Sequence, residues 1–113
     1  MLETAEPIAH PDLDELELAT VLHALSDPVR LQIVAALADG GEQSCGSLSL
    51  PVSKSTCAHH FRVLRESGVI RQRCAGANRL NSLRREDLEL RFPGLIDAVV
   101  SSAVTPASAA TDR

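Results

Sequence analysis

The chain has 113 residues, a net charge of −4, two Phe and no Trp or Tyr. This length predicts a single domain, and the scarcity of aromatic side chains favours a helical core of Leu, Val, Ile and Ala. No run of about 18 apolar residues is present, and the acidic N-terminus lacks the features of a signal peptide, so we expect a cytoplasmic protein with no membrane contact. Its three cysteines have no framework spacing and are expected to be reduced thiols there.

The charges are segregated along the chain. Residues 1–50 carry a net charge of −8, residues 51–85 carry +7, and residues 86–113 carry −3. The overall negative charge argues against a general binder of polyanions. The central basic block instead indicates one surface suited to phosphate groups. The alternative is a charged surface that only balances its own acids within the fold.

Two helices are predicted in the N-terminal half. Apolar residues at helical spacing predict a first helix that begins after Pro11. In the stretch SDPVRLQIVAALADGG, Asp27 is the predicted N-cap, Pro28 is the first helical residue, and Gly40 or Gly41 ends the helix. This second helix is expected to bury four residues: Leu31, Val34, Leu37 and Ala38.

The remaining elements are shorter. A short helix over 45–49 is expected to lead into a helix over 54–67, which Ser53 caps and Gly68 ends. After this helix the residue pattern changes from helical to strand-like. It predicts two strands, VIRQRC and RLNSL, joined by the turn AGAN. In the helical stretch that follows, Pro93 is expected to start a new helix rather than to kink a continuous one.

The order of these elements predicts a fold that is mainly α with a small β-hairpin, a winged helix-turn-helix of the form α-α-α-α-β-β-α. Residues 11–101 are expected to form this domain. A flexible N-terminal tail over 1–10 and a disordered C-terminal tail over 102–113 flank it. In such a motif the second helix of the pair, here 54–67, enters the major groove of DNA.

The helix over 54–67 contains residues that suit either a metal site or a DNA-reading surface. At 100° per residue, Cys57 lies on the apolar stripe with Phe61 and Leu64, and His60 lies at its edge. His59 lies on the opposite side. The two histidines therefore cannot both join Cys57 in one metal site on a regular helix.

The exposed face of the same helix carries groups that suit phosphate oxygens and base edges. These are Ser55, His59 and Arg62 on the face itself, with Ser53, Lys54 and Thr56 at its N-terminal end. Because a basic block and a hairpin accompany them, we predict a DNA-reading surface. A solvated helix face with no partner is the alternative.

Over about residues 13–101 the sequence resembles the ArsR/SmtB family of bacterial winged-helix repressors. The resemblance rests on LSDPVRLQIVAALA, on SKSTCAHHFRVLRESGVI and on an Arg-rich hairpin with AGAN at its tip. It implies a homodimer formed mainly by the first and last helices, which binds a palindromic operator and is released by an inducer. It places Arg79 of the wing at the minor groove or backbone, and these residues at the major groove: Ser53, Lys54, Ser55, Thr56, His59 and Arg62. By the same resemblance His60 and Phe61 are structural, and Ala58 departs from a common Ser.

Members of this family often sense a metal, but the recognisable sites are incomplete in this chain. Cys45 alone stands where some members have a Cys-x-Cys-x-x-Cys cluster, and the last helix carries Asp87 and Asp97 but no His or Cys. Cys45 and Cys57 are expected on helices that pack together. A thiolate site for arsenite or antimonite and the oxidation of a thiol pair therefore both stay open. The alternative is three unrelated cysteines, with Cys74 exposed on the wing.

A sequence-specific repressor is favoured over two other classes of function. A winged-helix module that binds proteins rather than DNA fits the low pI but not the segregated basic block. An enzyme is not expected, because the sequence contains no nucleophile–base–acid constellation and no phosphate loop. A repressor that senses neither metal nor thiol chemistry also stays open.

Overall fold

The computed structural model describes residues 8–104. The helices are α1 (Leu18–Ala24), α2 (Pro28–Gly40), α3 (Lys54–Ser67), α4 (Arg85–Arg91) and α5 (Leu95–Val104). The strands are β1 (Gln43–Ser44), β2 (Ile70–Ala75) and β3 (Asn78–Leu83), which form an antiparallel sheet in the order β1-β3-β2. This arrangement confirms the predicted winged helix-turn-helix, in which β2 and β3 form the wing.

Helix α3 begins and ends where the sequence predicts. The Oγ atom of Ser53 accepts a hydrogen bond from the backbone N–H of Thr56 at 3.2 Å, which satisfies a free donor of the first turn. Gly68 ends the helix in the left-handed conformation, at φ 90°. A Cβ atom at this position would collide with Leu16 and crowd Pro11. The end of α3 is therefore packed directly beneath the N-terminal segment.

Helix α2 also has its predicted start and stop. The carboxylate of Asp27 accepts hydrogen bonds from the backbone N–H groups of Val29 at 2.8 Å and Arg30 at 3.1 Å. Gly40 is the last helical residue, and Gly41 takes a positive φ of 73°. These contacts fix the direction in which α2 leaves the turn that precedes it.

The buried face of α2 is rotated relative to the predicted stripe. Leu31 and Ala38, which were expected in the core, are only half-buried. The residues that are buried are Arg30, Ile33, Val34 and Leu37. Arg30 belongs to this buried face because its guanidinium turns inward and donates to the backbone carbonyl of Ala24 at 2.6 Å.

The N-terminal region is not the single helix that was predicted. Residues Leu13–Glu15 form one 3-10 turn, and α1 begins only at Leu18 because Leu16 adopts an extended backbone and enters the core. His10 lies against the wing, where its Nε2 atom accepts from the backbone N–H of Gln72 at 2.9 Å. His10 therefore makes a specific contact with the domain, although the sequence placed it in a flexible tail. Residues 1–7 of that tail lie outside the described residues.

The segment between α2 and α3 contains a strand that was not predicted. Gln43 and Ser44 pair with Asn81 and Leu80 of β3 and make the wing sheet three-stranded. The helix predicted over 45–49 is instead a single 3-10 turn, Cys45–Ser47. A strand of two residues has no detectable alternation, so this pairing leaves no signal in the sequence.

Pro93 and Gly94 separate α4 from α5, which confirms the predicted break. Helix α5 begins at Leu95, two residues after Pro93, because Gly94 lies in the left-handed region at φ 82°. The helix continues to Val104. Residues 102–104 are thus helical, although the sequence placed them in a disordered tail over 102–113. Residues 105–113 of that tail lie outside the described residues.

The core is mainly aliphatic, as the composition predicted, and Phe61 is its buried aromatic residue. Its largest fully buried side chains come from every layer of the fold and include Leu16, Ile33, Leu64, Ile70, Leu88 and Ile96. Within residues 8–104, no single helix is long and apolar enough to span a membrane, and α1 and α2 reach that length only together, across a 100° bend. The core holds the buried side of α3 and leaves its opposite side exposed.

Candidate DNA-binding surface

Helix α3 presents one face to the core and the other to solvent. Cys57, His60 and Phe61 are buried, whereas His59 is exposed. The other residues predicted to read DNA are also exposed: Ser53, Lys54, Ser55, Thr56 and Arg62. The separation of His59 from Cys57 and His60 agrees with the helical wheel. Among residues 8–104, no three His, Cys, Asp or Glu side chains are grouped so that they would hold a metal ion.

The N-terminal end of α3 carries a small hydroxyl cluster. The Oγ atom of Ser53, besides capping the helix, lies 3.0 Å from Oγ1 of Thr56 and 3.3 Å from Oγ of Ser55. The cap therefore occupies part of the hydrogen-bonding capacity of Ser53. Thr56 and Ser55 share that network and remain exposed beside Lys54.

A cleft of about 470 Å³ lies between the exposed face of α3 and the wing. Ser55, His59 and Arg62 line it from α3, and Arg79 lines it from β3. The fold therefore brings four of the seven predicted contact residues to one concave surface. The other three, Ser53, Lys54 and Thr56, lie at the N-terminal end of α3.

The basic residues between positions 51 and 85 divide into two groups. Five of the eight form ion pairs with acids of the fold: Arg65 with Glu66, Arg71 and Arg84 with Asp87, Arg73 with Glu42, and Arg85 with Asp97. The other three, Lys54, Arg62 and Arg79, form no ion pair with any residue in the described range. All three belong to the predicted contact set. Within this basic block, the positive charge that no acid neutralises is therefore concentrated on the exposed side of α3 and the adjoining wing.

One of these ion pairs fixes the outer edge of the wing. The guanidinium of Arg73 donates to both carboxylate oxygens of Glu42, at 2.7 and 2.9 Å. These hydrogen bonds from Arg73 hold the pKa of Glu42 below its ordinary value. Arg73 is thus engaged within the fold, and β2 is tied to the residue that precedes β1.

The buried side of α3 is attached to the start of α2 through His60. Its Nδ1 atom lies 3.0 Å from Nη1 of Arg30, and because a guanidinium only donates, Nδ1 must accept. The ring proton is then on Nε2, which lies 3.8 Å from the carboxylate of Asp27. Although burial alone would raise the pKa of Asp27, backbone hydrogen bonds from Arg30 and Val29 lower it overall. Sequence reasoning missed Arg30, whose only signal was its spacing after Asp27-Pro28.

The sulfur atoms of Cys45 and Cys57 lie side by side, although the two Cα atoms are 7.2 Å apart, slightly more than an unstrained disulfide spans. Cys45 is half-buried and directly follows β1, whereas Cys57 is buried in α3. A bond between them would therefore join one end of the wing sheet to the helix that carries the exposed basic face. Cys74 is a free, exposed cysteine on β2. The structure thus brings together the two thiols that the sequence singled out.

An exposed basic helix beside a β-hairpin, with a cleft between them, defines a winged helix-turn-helix DNA-binding protein. Residues 25–73 match a family model described as a helix-turn-helix domain. The uncharacterized HTH-type transcriptional regulator YceK of Bacillus subtilis is 33% identical over 89 residues, which cover 76% of this chain and 89% of that protein. The arsenical resistance operon repressor of Staphylococcus xylosus is 34% identical over 74 residues, 65% of this chain and 71% of that protein.

Solved structures of the same class are similar. The transcriptional repressor BigR from Xylella fastidiosa is 30% identical, with a TM-score of 0.59 over 74% of this chain and 83% of that one. An ArsR-like transcriptional regulator from Rhodococcus sp. RHA1 is 32% identical, with a TM-score of 0.58 over 72% of this chain and 79% of that one. This chain belongs to the ArsR/SmtB family of winged helix-turn-helix transcriptional repressors. The relatives described are regulators and not enzymes.

Proposed function

We propose that this protein is a dimeric cytoplasmic repressor that binds a palindromic operator and is released when Cys45 and Cys57 react. The observation that carries the DNA-binding part is the concentration of unpaired charge on Lys54, Arg62 and Arg79. Phosphate contacts supply much of the affinity of such proteins, and they require cations that the fold has not already neutralised. Arg62 is assigned to the major groove and Arg79 to the minor groove or backbone.

Apolar surface on the first and last helices supports the dimer. Leu18 and Leu22 of α1 are 47% and 46% exposed, on a helix whose other face packs in the core. Leu31 lies beside Val99 and Ala103 of α5 in an open apolar groove. A two-fold dimer that covers these surfaces would place two copies of α3 one DNA turn apart, about 34 Å. Operator binding then excludes RNA polymerase from the promoter.

The position of the cysteine pair supports its role as the sensor. Cys45 is joined to the wing sheet through β1, and Cys57 belongs to α3, so a bond between them couples the two DNA-contacting elements. Cytoplasmic thiols are normally kept reduced, and a disulfide there is more often regulatory than structural. We assign the reduced state to the operator-bound repressor. Its release follows because the bond changes how α3 and the wing are held together.

Two chemistries fit this pair. A hydroperoxide would oxidise the two thiols to the disulfide and be reduced to an alcohol and water. Arsenite or antimonite, as the neutral trihydroxide, would instead react with both thiols: each thiol proton leaves with one hydroxide as water, and the third hydroxide stays as the third ligand. Both chemistries require Cys45 and Cys57 and neither requires Cys74. The proposal is therefore tested by cysteine variants against both reagents.

The test is a fluorescence-anisotropy titration of fully reduced protein onto DNA from upstream of its own gene, with and without arsenite or peroxide. We expect tight, salt-sensitive binding that either one or both reagents abolish in the wild type and in C74S. C45S and C57S should bind equally well and should not respond. Equal binding by all four proteins under every condition would assign the cysteines to packing only. Failure of the wild type to bind any promoter fragment at low salt would favour a protein-interaction module.

A further inference from the structure

We infer that Gln72 and Asn81 are positioning residues that hold the wing at a fixed angle to α3, so that Arg79 and Arg62 contact one operator together. The two amides lie opposite each other on β2 and β3. Neither contributes to the contact set derived from the sequence. The inference rests on the proposed function, in which both arginines contact DNA.

A directional chain of hydrogen bonds runs from α3 through the wing sheet. Arg65 of α3 donates through Nη1 to Oε1 of Gln72 at 2.9 Å. The Nε2 atom of Gln72 donates to Oδ1 of Asn81 at 2.7 Å. The Nδ2 atom of Asn81 then donates to the backbone carbonyl of Gln43 at 3.1 Å, and the side chain of Gln43 donates to the carbonyl of Ala36 at 3.1 Å. The chain connects α3, all three strands and α2.

The central members of this chain are deeply buried. Gln72 is 7% exposed and Asn81 is 1% exposed. Burying an amide is unfavourable unless its groups are hydrogen-bonded, and a well-packed apolar pair at such a site is often as stable or more stable. Hydrogen bonds are directional, so a fully hydrogen-bonded amide pair permits only one relative placement of the strands and the helix. Apolar packing does not impose this restriction. The burial therefore indicates a geometric role.

Two members of the chain, Asn81 and Arg65, lie next to the proposed DNA contacts. Asn81 is two residues from Arg79 on β3, so both side chains point to the same face of the sheet. Arg65 is three residues from Arg62 on α3, so these two are neighbours on the helix surface. The four residues line the same cleft. Fixing Arg65 relative to Asn81 thus fixes the spacing between the two arginines that are assigned to DNA.

The test is a double-mutant cycle on operator affinity. R62A and R79A are measured in the wild-type background and in Q72L/N81L. Both amides are replaced together because a single replacement would leave the other buried amide without its hydrogen-bond partner. In the wild type, R79A should weaken binding about tenfold. In Q72L/N81L, R79A should weaken it by less than about twofold, because the wing no longer places Arg79 on the DNA. The effect of R62A should be the same in both backgrounds.

Equal losses from R79A in the two backgrounds would overturn the inference, since the amides would then serve stability alone. Circular dichroism and thermal melting establish that each variant is folded. If Q72L/N81L does not fold, the cycle is run in R65M, which removes the α3 end of the chain and leaves the bond between Gln72 and Asn81 intact. The same criterion applies there. Absence of operator binding by the wild type is a separate result, which removes the proposed function and the inference with it.

Discussion

The guanidinium of Arg30 and the imidazole of His60 meet at 3.0 Å beneath the exposed face of α3. Arg30 also donates to the carbonyls of Ala24 at 2.6 Å and His23 at 3.4 Å. A single buried side chain thus joins the end of α1, the start of α2 and the middle of α3. The orientation of α3 depends on this polar contact as well as on aliphatic packing.

Replacing Arg30 with Met should lower the free energy of unfolding by about 2–4 kcal/mol. Methionine retains the length of the side chain but leaves the carbonyl of Ala24 and the Nδ1 atom of His60 without a donor. The measurement is urea denaturation at neutral pH. R91M is the matched control, because Arg91 makes an exposed hydrogen bond to the carbonyl of Leu13 at 2.8 Å. If R30M and R91M lose the same stability, the buried contact does not have the role assigned to it.

The division of the arginines into paired and unpaired groups predicts their effects on DNA binding. R62A should weaken operator binding by about 1–3 kcal/mol if Arg62 reads a base, whereas R85A should have little effect. Arg85 is the matched control because its guanidinium is 2.8 Å from the carboxylate of Asp97 and it does not line the cleft. Anisotropy titrations of both variants on the same operator provide the comparison. Equal losses would mean that internal pairing does not decide which arginines bind DNA.

Lys54 is expected to act on phosphate rather than on bases. K54A should weaken binding to specific and nonspecific duplexes by similar factors. It should also reduce the slope of log affinity against log salt concentration by about 1, because one fewer counterion is released. Titrations at four or more salt concentrations measure this slope. A loss confined to the cognate operator would instead assign Lys54 to base recognition.

Gly68, at the C-terminal end of α3, provides a test of backbone geometry. G68A should destabilise the protein by about 2 kcal/mol or more, because the residue has a positive φ and a Cβ atom would meet the side chain of Leu16. G76A is the control, since Gly76 also has a positive φ, of 63°, but has no atom near its Cβ position. Thermal unfolding of both variants separates the destabilisation caused by the clash with Leu16 from that caused by the positive φ. Equal destabilisation would show that contact with Leu16 is unimportant.

The sequence predicted best those features that depend on local chemistry. The cap at Ser53, the stop at Gly68 and the exposure of His59 all follow from residues within one or two turns. The buried face of α2 was predicted less well, because an arginine in a helix is normally expected on the surface and Arg30 is buried. Arg30 is buried only because unsatisfied carbonyls at the end of α1 lie within its reach. That contact depends on tertiary structure, which periodicity does not encode.

In the wing, too, the sequence did not predict the tertiary hydrogen bonds. Gln72 and Asn81 stand two residues from the inward-facing Ile70 and from Leu83, so period-2 alternation already placed them toward α3. The period-2 pattern predicts which face of the sheet each side chain occupies, but it does not predict the hydrogen-bond partner of a buried polar side chain. The partner of Asn81 is a carbonyl of β1, a strand too short to be read from the sequence. Cys45 was similarly expected on a short helix packed against α3, whereas it lies on a 3-10 turn.

Contact between His10 and the wing should depend on pH. Burial and the nearby charges of Arg71, Arg84 and Arg65 lower the pKa of His10 from its ordinary value of 6.5. Its Nε2 atom accepts from the backbone N–H of Gln72, so only the neutral ring maintains that hydrogen bond. A histidine with a lowered folded pKa stabilises the fold fully above pH 6.5. That contribution is lost as the pH falls from 6.5 toward the folded pKa.

The measurement is amide hydrogen exchange of Gln72 between pH 7.5 and 5, expressed as a protection factor so that the intrinsic pH dependence is removed. Protection should decrease below about pH 6.5 in the wild type. It should be independent of pH in H10Q, whose amide oxygen accepts without titrating. H23Q is the matched control, since His23 is exposed on α1 and distant in sequence from the wing. Its profile should match the wild type, and a flat wild-type profile would contradict the role assigned to His10. A decrease that persists in H10Q would locate the titrating group elsewhere around the wing.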